Sequence, residues 1–373
     1  MLSIRLRDLA RQVGVHPSTV SRVLSGDPTA RLSQTTRARI LQLAAATGYR
    51  PNRLARSLKI QRTQILGMLI PDITNPVFSV LFRAVEDAAG AAGYNVILCN
   101  TDDSPARLGQ HLRMLGEGHV DGLLLATAHR DDPFIDELRD RGMPYVLLNR
   151  RRDASEDCWV VPDDRQGARL AVAHLVALGH RRIAHLAGAG DISTTATRLA
   201  GFRDAMAEHG LAVDETLISE AGLTEAAGER GMARLLTLPA DRLPTAIFVA
   251  NDFAALGAVA AARAAGLRVP DDLSVVGYDD IPPVGWIEPA LTTVRVPLKP
   301  MGRLATEILI QRLGGSLAPA EQPVQVTLSV DLVVRRSSAP PPTAEPSFKP
   351  RTRVSQPETL GSLTSTVERS TPR

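Results

Sequence analysis

Seven short apolar runs recur through the middle of the chain: ILGMLI at 65–70, YNVILC at 94–99, VDGLLLA at 120–126, YVLL at 145–148, RRIAHLAG at 181–188, TAIFVA at 245–250 and LSVVGY at 273–278. They are bounded by Gly or Pro and separated by amphipathic stretches. Runs this short and this continuously apolar suit strands buried on both faces. Parallel strands of that kind need helical crossovers between them. The alternation therefore predicts an α/β body. About ten such strands are expected, and they fit two sheets better than one.

The bulk properties narrow the function classes. At 373 residues the chain has room for more than one domain. No apolar run approaches the roughly 18 residues of a membrane span. The opening MLSIRLRDLARQ has no long apolar stretch of the secretory kind, so a cytoplasmic protein is expected. Cys99 and Cys158 sit among apolar neighbours and are expected as small core residues, with no disulfide framework or metal cluster. The net charge of +3 conceals an asymmetry. Residues 1–62 carry twelve Lys or Arg against Asp8 and Asp27, a local +10 that leaves −7 for the remainder. A basic head on an acidic body points to a polyanion partner for the head, with a solvated charged face as the alternative.

The head reads as short helices. Leu6, Leu9, Ala10 and Val13 recur at helical spacing before Gly14. Pro17 opens the next helix, where its missing N–H costs nothing, and Val20, Val23 and Leu24 form its apolar face. Ser33 can cap a third helix that packs through Ala38, Ile40, Leu41 and Ala44 before Gly48. This is a helix-turn-helix pattern. Its second helix, in GVHPSTVSRVL, carries short hydroxyls and one arginine outside instead of long charges, which suits a surface pressed closely against something. YRPNRLARSLK follows, able to form less than two helical turns and expected to order only against a partner. From Ser337 onward Pro, Ser and Thr dominate, and disorder is expected.

Ligands of open parallel sheets bind beyond the carboxyl ends of the strands. Those ends here lead into Asp72, Thr74 and Asn75, into Asn100, Thr101 and Asp102, into Asn149, Arg150 and Arg151, into Asn251 and Asp252, and into Asp279 and Asp280. Such a ring suits a polyhydroxylated ligand. Any one of these residues can equally be a helix cap. LAGAGD at 186–191 lacks the third glycine of a dinucleotide fingerprint and reads as a strand-to-helix turn. His174, His180 and His185 lack metal-ligand spacing. No catalytic residue, metal site or cofactor is expected.

Several stretches together resemble the LacI/GalR family of bacterial transcriptional repressors: LRDLARQVGVHPSTVSRVLSG, TRARILQLAAATGYRPNRLARSL, LGMLIPDITNPVF, VDGLLL, LVALGHRRIAHLAG, TRLAGF, VANDFAALGA, and SVVGYDD followed by LTTVRVP. The match spans about residues 5–336. The resemblance implies a helix-turn-helix head at 1–50, a hinge helix and linker at 51–62, and a periplasmic-binding-protein-like body of two Rossmann-like lobes at 63–336. The tail is then 337–373. It implies a recognition helix with Pro17, Ser18, Thr19, Ser21 and Arg22 in the major groove. Arginine there can bridge guanine O6 and N7, while Thr19 and Ser21 suit phosphate anchoring. Pro17 departs from the hydroxyl or aromatic residue common at its position. Asn52, Arg53, Ala55 and Leu58 match the hinge helix that pairs over the minor groove, with Leu58 as the wedge.

In the body the resemblance places Asp72, Phe78, Asn149, Arg198, Leu223, Asn251 and Asp279 in an interlobe effector cleft. Phe78 has a core role as its alternative, Leu223 stands where some relatives have an aromatic, and Asn149 is neutral where some carry Asp. The family further implies a homodimer on a pseudo-palindromic operator, allosteric control by a small-molecule effector of the carbohydrate class, no enzyme activity and no membrane partner. Operator-bound protein would be nucleoid-associated.

Overall fold

The computed structural model describes residues 5–24, 32–49, 62–116, 118–153, 156–314 and 323–342. In the head, α1 is Leu6–Val13, α2 is Pro17–Leu24 and α3 is Gln34–Ala46. Gly14 stops α1 because it adopts φ +78°, a left-handed conformation costly for side-chain-bearing residues. The Ser33 hydroxyl caps α3 by accepting from the Thr36 N–H at 3.1 Å. Leu9, Ala10, Val20, Val23 and Ile40 are the buried centre of a small core. One expectation fails here. Ala38 and Leu41 lie exposed, Leu41 by 48%, because α3 turns its Ile40–Leu43–Ala44 stripe inward and those two fall on the other face.

The remaining residues form two compact units. Apart from the head, residues 62–164, 190–196 and 296–330 make lobe 1, and residues 165–189, 197–295 and 331 onward make lobe 2. Lobe 1 contains β1 (Ile65–Ile70), α4 (Pro76–Ala91), β2 (Asn95–Asn100), α5 (Pro105–Gly116), β3 (Gly122–Leu125), α6 (Pro133–Asp140), β4 (Tyr145–Leu148) and β5 (Trp159–Pro162). In lobe 2, apart from the first residue of α7 and the first four of α8, which count with lobe 1, the elements are α7 (Asp164–Ala177), β6 (Ile183–Ala187), α8 (Ser193–Glu208), β7 (Ile218–Glu220), α9 (Glu225–Leu235), β8 (Ala246–Val249), α10 (Asp252–Ala264), β9 (Ser274–Asp279) and β10 (Thr292–Arg295). The chain then returns to lobe 1 for α11 (Leu298–Leu313) and β11 (Gln325–Leu328), and to lobe 2 for β12 (Asp331–Val333).

The sheet orders are β11-β5-β4-β3-β1-β2 and β12-β10-β9-β8-β6-β7. The second repeats the first strand for strand, and every pairing is parallel except β10 with β12. Two sheets were expected, and twelve strands lie among the described residues instead of about ten. All seven quoted runs contain strands. The unanticipated ones, such as ISE and DLV, are too short to stand out. Cys99 and Cys158 are buried free thiols, as read.

Residues 337–342 correct the expected start of the tail. The Ser337 hydroxyl donates to the Val275 carbonyl at 2.6 Å and accepts from the Thr292 N–H at 2.8 Å, and the Ala339 N–H donates to Ser274 Oγ at 3.0 Å. Composition predicted no order, but unpaired backbone at the end of a sheet recruits the passing chain. Residues 343–373 lie outside the described residues.

In lobe 2, α9 and α10 touch backbone to backbone: a Cβ at Gly257 would lie 2.0 Å from the Glu225 carbonyl oxygen. Gly257→Ala should therefore destabilise the protein by about 2–3 kcal/mol in denaturant unfolding. Gly90→Ala, where a Cβ meets nothing within 4 Å, should stabilise it by roughly 0.5–1 kcal/mol in the same assay.

Candidate functional site

Each sheet reverses direction once. From β1 the chain adds β2 on one side and then β3, β4 and β5 on the other, and β6 with its successors does the same. At such a switch point the crossover helices diverge and leave a crevice at the strand carboxyl ends. The predicted polar residues fall at these ends.

In lobe 1, Asp72 follows β1 and accepts from the Thr74 N–H at 2.8 Å and hydroxyl at 2.6 Å. Asn75 caps α4 through the Val77 N–H at 3.1 Å. Asn149 follows β4 directly with φ +66° and is 8% exposed. Its side-chain amide has no hydrogen-bond partner among the described residues. Beside it the buried Arg150 forks onto both oxygens of Asp103, at 2.8 and 3.2 Å. Phe78 is 4% exposed on α4, a burial compatible with its core alternative and comparable with that of Arg198.

Lobe 2 gathers a tighter group. Arg198, on α8 and 3% exposed, donates to the Ala250 carbonyl and lies 3.6 Å over the Tyr278 ring. Its Nη2 is 3.5 Å from Asp279 Oδ1. Asp279 and Asp280 both take positive φ, +113° and +57°, a costly turn that aims consecutive carboxylates apart. Asp280 faces Arg295 at 2.7 Å, and also Arg335. Asn251 is a cap as well as a strand-end residue: it accepts from the Ala254 N–H at 2.9 Å and donates to the Leu223 carbonyl at 2.9 Å. Leu223 is half-buried and is held through its backbone.

The full burial of two residues named from the sequence was not foreseen. Asp252 is wholly buried behind Asp279. Its Oδ2 accepts from the Ile281 N–H at 3.0 Å and its Oδ1 from the Thr293 hydroxyl at 2.6 Å. Burial, and then the Asp279 carboxylate, push Asp252 well above the ordinary carboxylate range. His185 is sandwiched between Phe202 and Phe248, at ring distances of 5.1 and 4.8 Å, and donates from Nδ1 to the Phe248 carbonyl. Burial lowers its pKa to about 4. It is a neutral core residue.

In the head, α2 buries Val20 and Val23 and leaves Ser21 and Arg22 exposed, with Pro17, Ser18 and Thr19 half-buried at its start. His16, not singled out from sequence, lies with Nδ1 2.7 Å from the Ser18 hydroxyl. Asn52, Arg53, Ala55 and Leu58 lie outside the described residues.

A helix-turn-helix head on a two-lobed, repeated α/β body defines a DNA-binding regulator of the periplasmic-binding-protein-like type. Residues 5–52 match the model of the bacterial regulatory proteins of the lacI family, and residues 172–338 match the periplasmic binding protein-like domain. The repressor PurR of Haemophilus influenzae (strain PittEE) is 34% identical over 335 residues, covering 89% of this chain and 98% of PurR. The solved complex of the regulator CelR with cellobiose is 33% identical, with a TM-score of 0.69, and covers 90% of this chain and 100% of that one. A lac repressor dimer bound to operator and the anti-inducer ONPF is 28% identical, with a TM-score of 0.79, over 90% of this chain and 99% of that one. This chain belongs to the LacI family.

The buried acid gives a pH test. Burial raises the proton affinity of Asp252 in the folded state above that of the unfolded chain, so its contribution to stability is present at low pH and lost as pH rises. Asp252→Asn removes that dependence and keeps an acceptor for the Ile281 N–H. The variant should be more stable than the parent at pH 7, with the gap closing toward pH 4 in urea unfolding.

Proposed function

We propose that this protein is a homodimeric transcriptional repressor that binds a pseudo-palindromic operator and changes its affinity when a sugar or sugar derivative occupies the strand ends of the lobes. The observation that carries the reading is the pairing of two unlike surfaces in one chain. One is a helix with apolar residues inside and hydroxyls and an arginine outside. The other is a set of buried, directed polar groups at the switch points of two sheets. Major-groove reading needs the first, and recognition of a polyhydroxylated molecule needs the second.

In the head, Arg22 reads a base edge, Ser18 reaches a base or phosphate, Thr19 and Ser21 anchor phosphates, and Pro17 supplies apolar contact. Asn52, Arg53, Ala55 and Leu58 act at the minor groove. The head is residues 1–50 and the linker 51–62, and the effector-binding body runs from 63 through the ordered segment 337–342. In the body, Asn149 offers its unengaged amide, Asp279 accepts from hydroxyls and Arg198 donates to them. Asp72 and Asn251 shape the ends of β1 and β8, and Leu223 gives an apolar edge. The sugar class finds support in the CelR–cellobiose complex, and the operator and dimer in the lac repressor complex. An effector shifts the equilibrium only by binding one conformational state better than the other.

The chain acts by binding and not by catalysis. The relatives are regulators, and the acids at the lobe 2 strand ends are engaged by arginines or buried. Among the described residues no helix is long and apolar enough to cross a membrane, and the operator fixes the place of action in the cytoplasm, on the nucleoid.

The test starts from duplexes selected out of a random library by the full-length protein. They should share a short inverted repeat. Arg22→Ala should weaken binding to that repeat by about ten- to a hundredfold while lowering affinity for unrelated duplex far less. With the selected duplex as the readout, a sugar panel should yield a compound that alters affinity, and Asn149→Ala or Arg198→Ala should abolish that response. Binding that ignores sequence and fades equally with salt in parent and variant would reduce the head to an electrostatic anchor.

A further inference from the structure

We propose that Asp121 is a positioning residue for operator binding: its carboxylate pins the chain to lobe 1 at the point where the DNA-contacting linker ends. The inference rests on the operator-binding reading above. Asp121 precedes β3, and one side of it faces residues 63–65. Its Oδ1 accepts from the Thr63 N–H at 2.7 Å and from the Thr63 hydroxyl at 2.8 Å, and its Oδ2 accepts from the Gln64 N–H at 2.9 Å. The Thr63 hydroxyl in turn accepts from the Ile65 N–H at 3.1 Å.

The backbone closes the same corner. The Asp121 N–H donates to the Ile65 carbonyl at 2.8 Å, and the Asn95 N–H to the Gln64 carbonyl at 2.9 Å. Residues 63–65 are thereby tied to the leading ends of β1, β2 and β3. One residue upstream, Arg62 donates to the Leu313 carbonyl at the last residue of α11, where the helix presents its negative end. Gln64 takes φ +57°, which a side-chain-bearing residue holds only where its surroundings fix it. All these partners belong to lobe 1.

Three donors on one carboxylate are more than the start of β1 requires, since its ladder to β2 and β3 already begins at Ile65 and Leu66. What the clamp adds is a fixed origin for the linker. A dimer reads two half-sites only when both heads are presented at set spacing. Slack between head and body lowers the effective concentration of the second head once the first is bound. A change of state in lobe 1 is passed to the linker as firmly as this corner is held.

The experiment uses full-length Asp121→Ala, Asp121→Asn and Gln64→Gly. The probes are a duplex selected from a random library by the parent protein and a scrambled duplex of equal length. Asp121→Ala should weaken binding to the selected duplex about tenfold and leave the scrambled duplex unchanged, with the circular dichroism of the folded protein preserved. Asp121→Asn keeps one acceptor oxygen and should fall between. Gln64→Gly, unstrained at positive φ, should match the parent. Equal loss on both duplexes, or parent-like affinity in Asp121→Ala, overturns the proposal. Should Asp121→Ala fail to fold, parent-like affinity in Asp121→Asn does the same. If the parent selects no duplex, the operator-binding reading itself falls, a result separable from these.

Discussion

Parallel strands covered by helices on both faces admit a polar side chain along their length only where it bonds inside the core, as His185 of β6 and Tyr145 of β4 do. Their backbone groups are satisfied within the ladders, and β3, β4 and β8 are buried at every position. Whatever the body does with a ligand must therefore happen where strands stop. The reversal of strand order at β1 and β6 opens those ends to a molecule instead of closing them under crossovers. Asn149, Arg198 and Asp279 lie at strand ends, just beyond them or beside them, where buried directed groups can face a crevice.

The same constraint accounts for the cost visible in lobe 2. Arg198 is held by a carbonyl, a ring face and a carboxylate, and the chain behind Asp279 is fixed by the buried Asp252. Two residues at positive φ in succession are strained, and the acid beneath them accepts from the next peptide N–H, so the turn is over-determined. A site of this kind is preorganised. Ligand binding then has little ordering to do locally, and its free energy is available to bias the state of the body. The head works on a different scale. Its core is a handful of residues from three helices, enough to present one helix face. The contact chemistry lies in short side chains on that face.

Much of this was legible in the sequence, and the rest was hidden for physical reasons. The strands declared themselves because burial on both faces demands continuous apolar runs, and the helix-turn-helix because Gly14, Pro17 and Ser33 punctuate it. Caps and ligand groups use the same residue types, so Asn75 and Asn251 could not be assigned from sequence, and both prove to be caps. The burial of Phe78 depends on how far α4 is rotated, which its sequence does not state. Ala38 and Leu41 looked inward because the stripe on α3 can be drawn two ways, and only contact with α1 and α2 chooses. Asp252 read as one more polar strand end, yet it is a buried acid whose partners lie 29 and 41 residues away.

The sequence by itself determined the periodicities: which segments are strands or helices, that the body is α/β, that the head is basic and separate, and which strand ends are polar. Those properties are local, because each follows from the spacing of residue types within a few turns or pleats. The tertiary structure decided which polar groups are engaged and which are open. Among the described residues Asn149 is left with an unengaged side-chain amide while Asn251 is not, and Asp121 holds the chain at Thr63 and Gln64 from 58 and 57 residues away. A hydrogen bond depends on angles and distances between elements far apart in the chain, and these are fixed only when the sheets and helices pack.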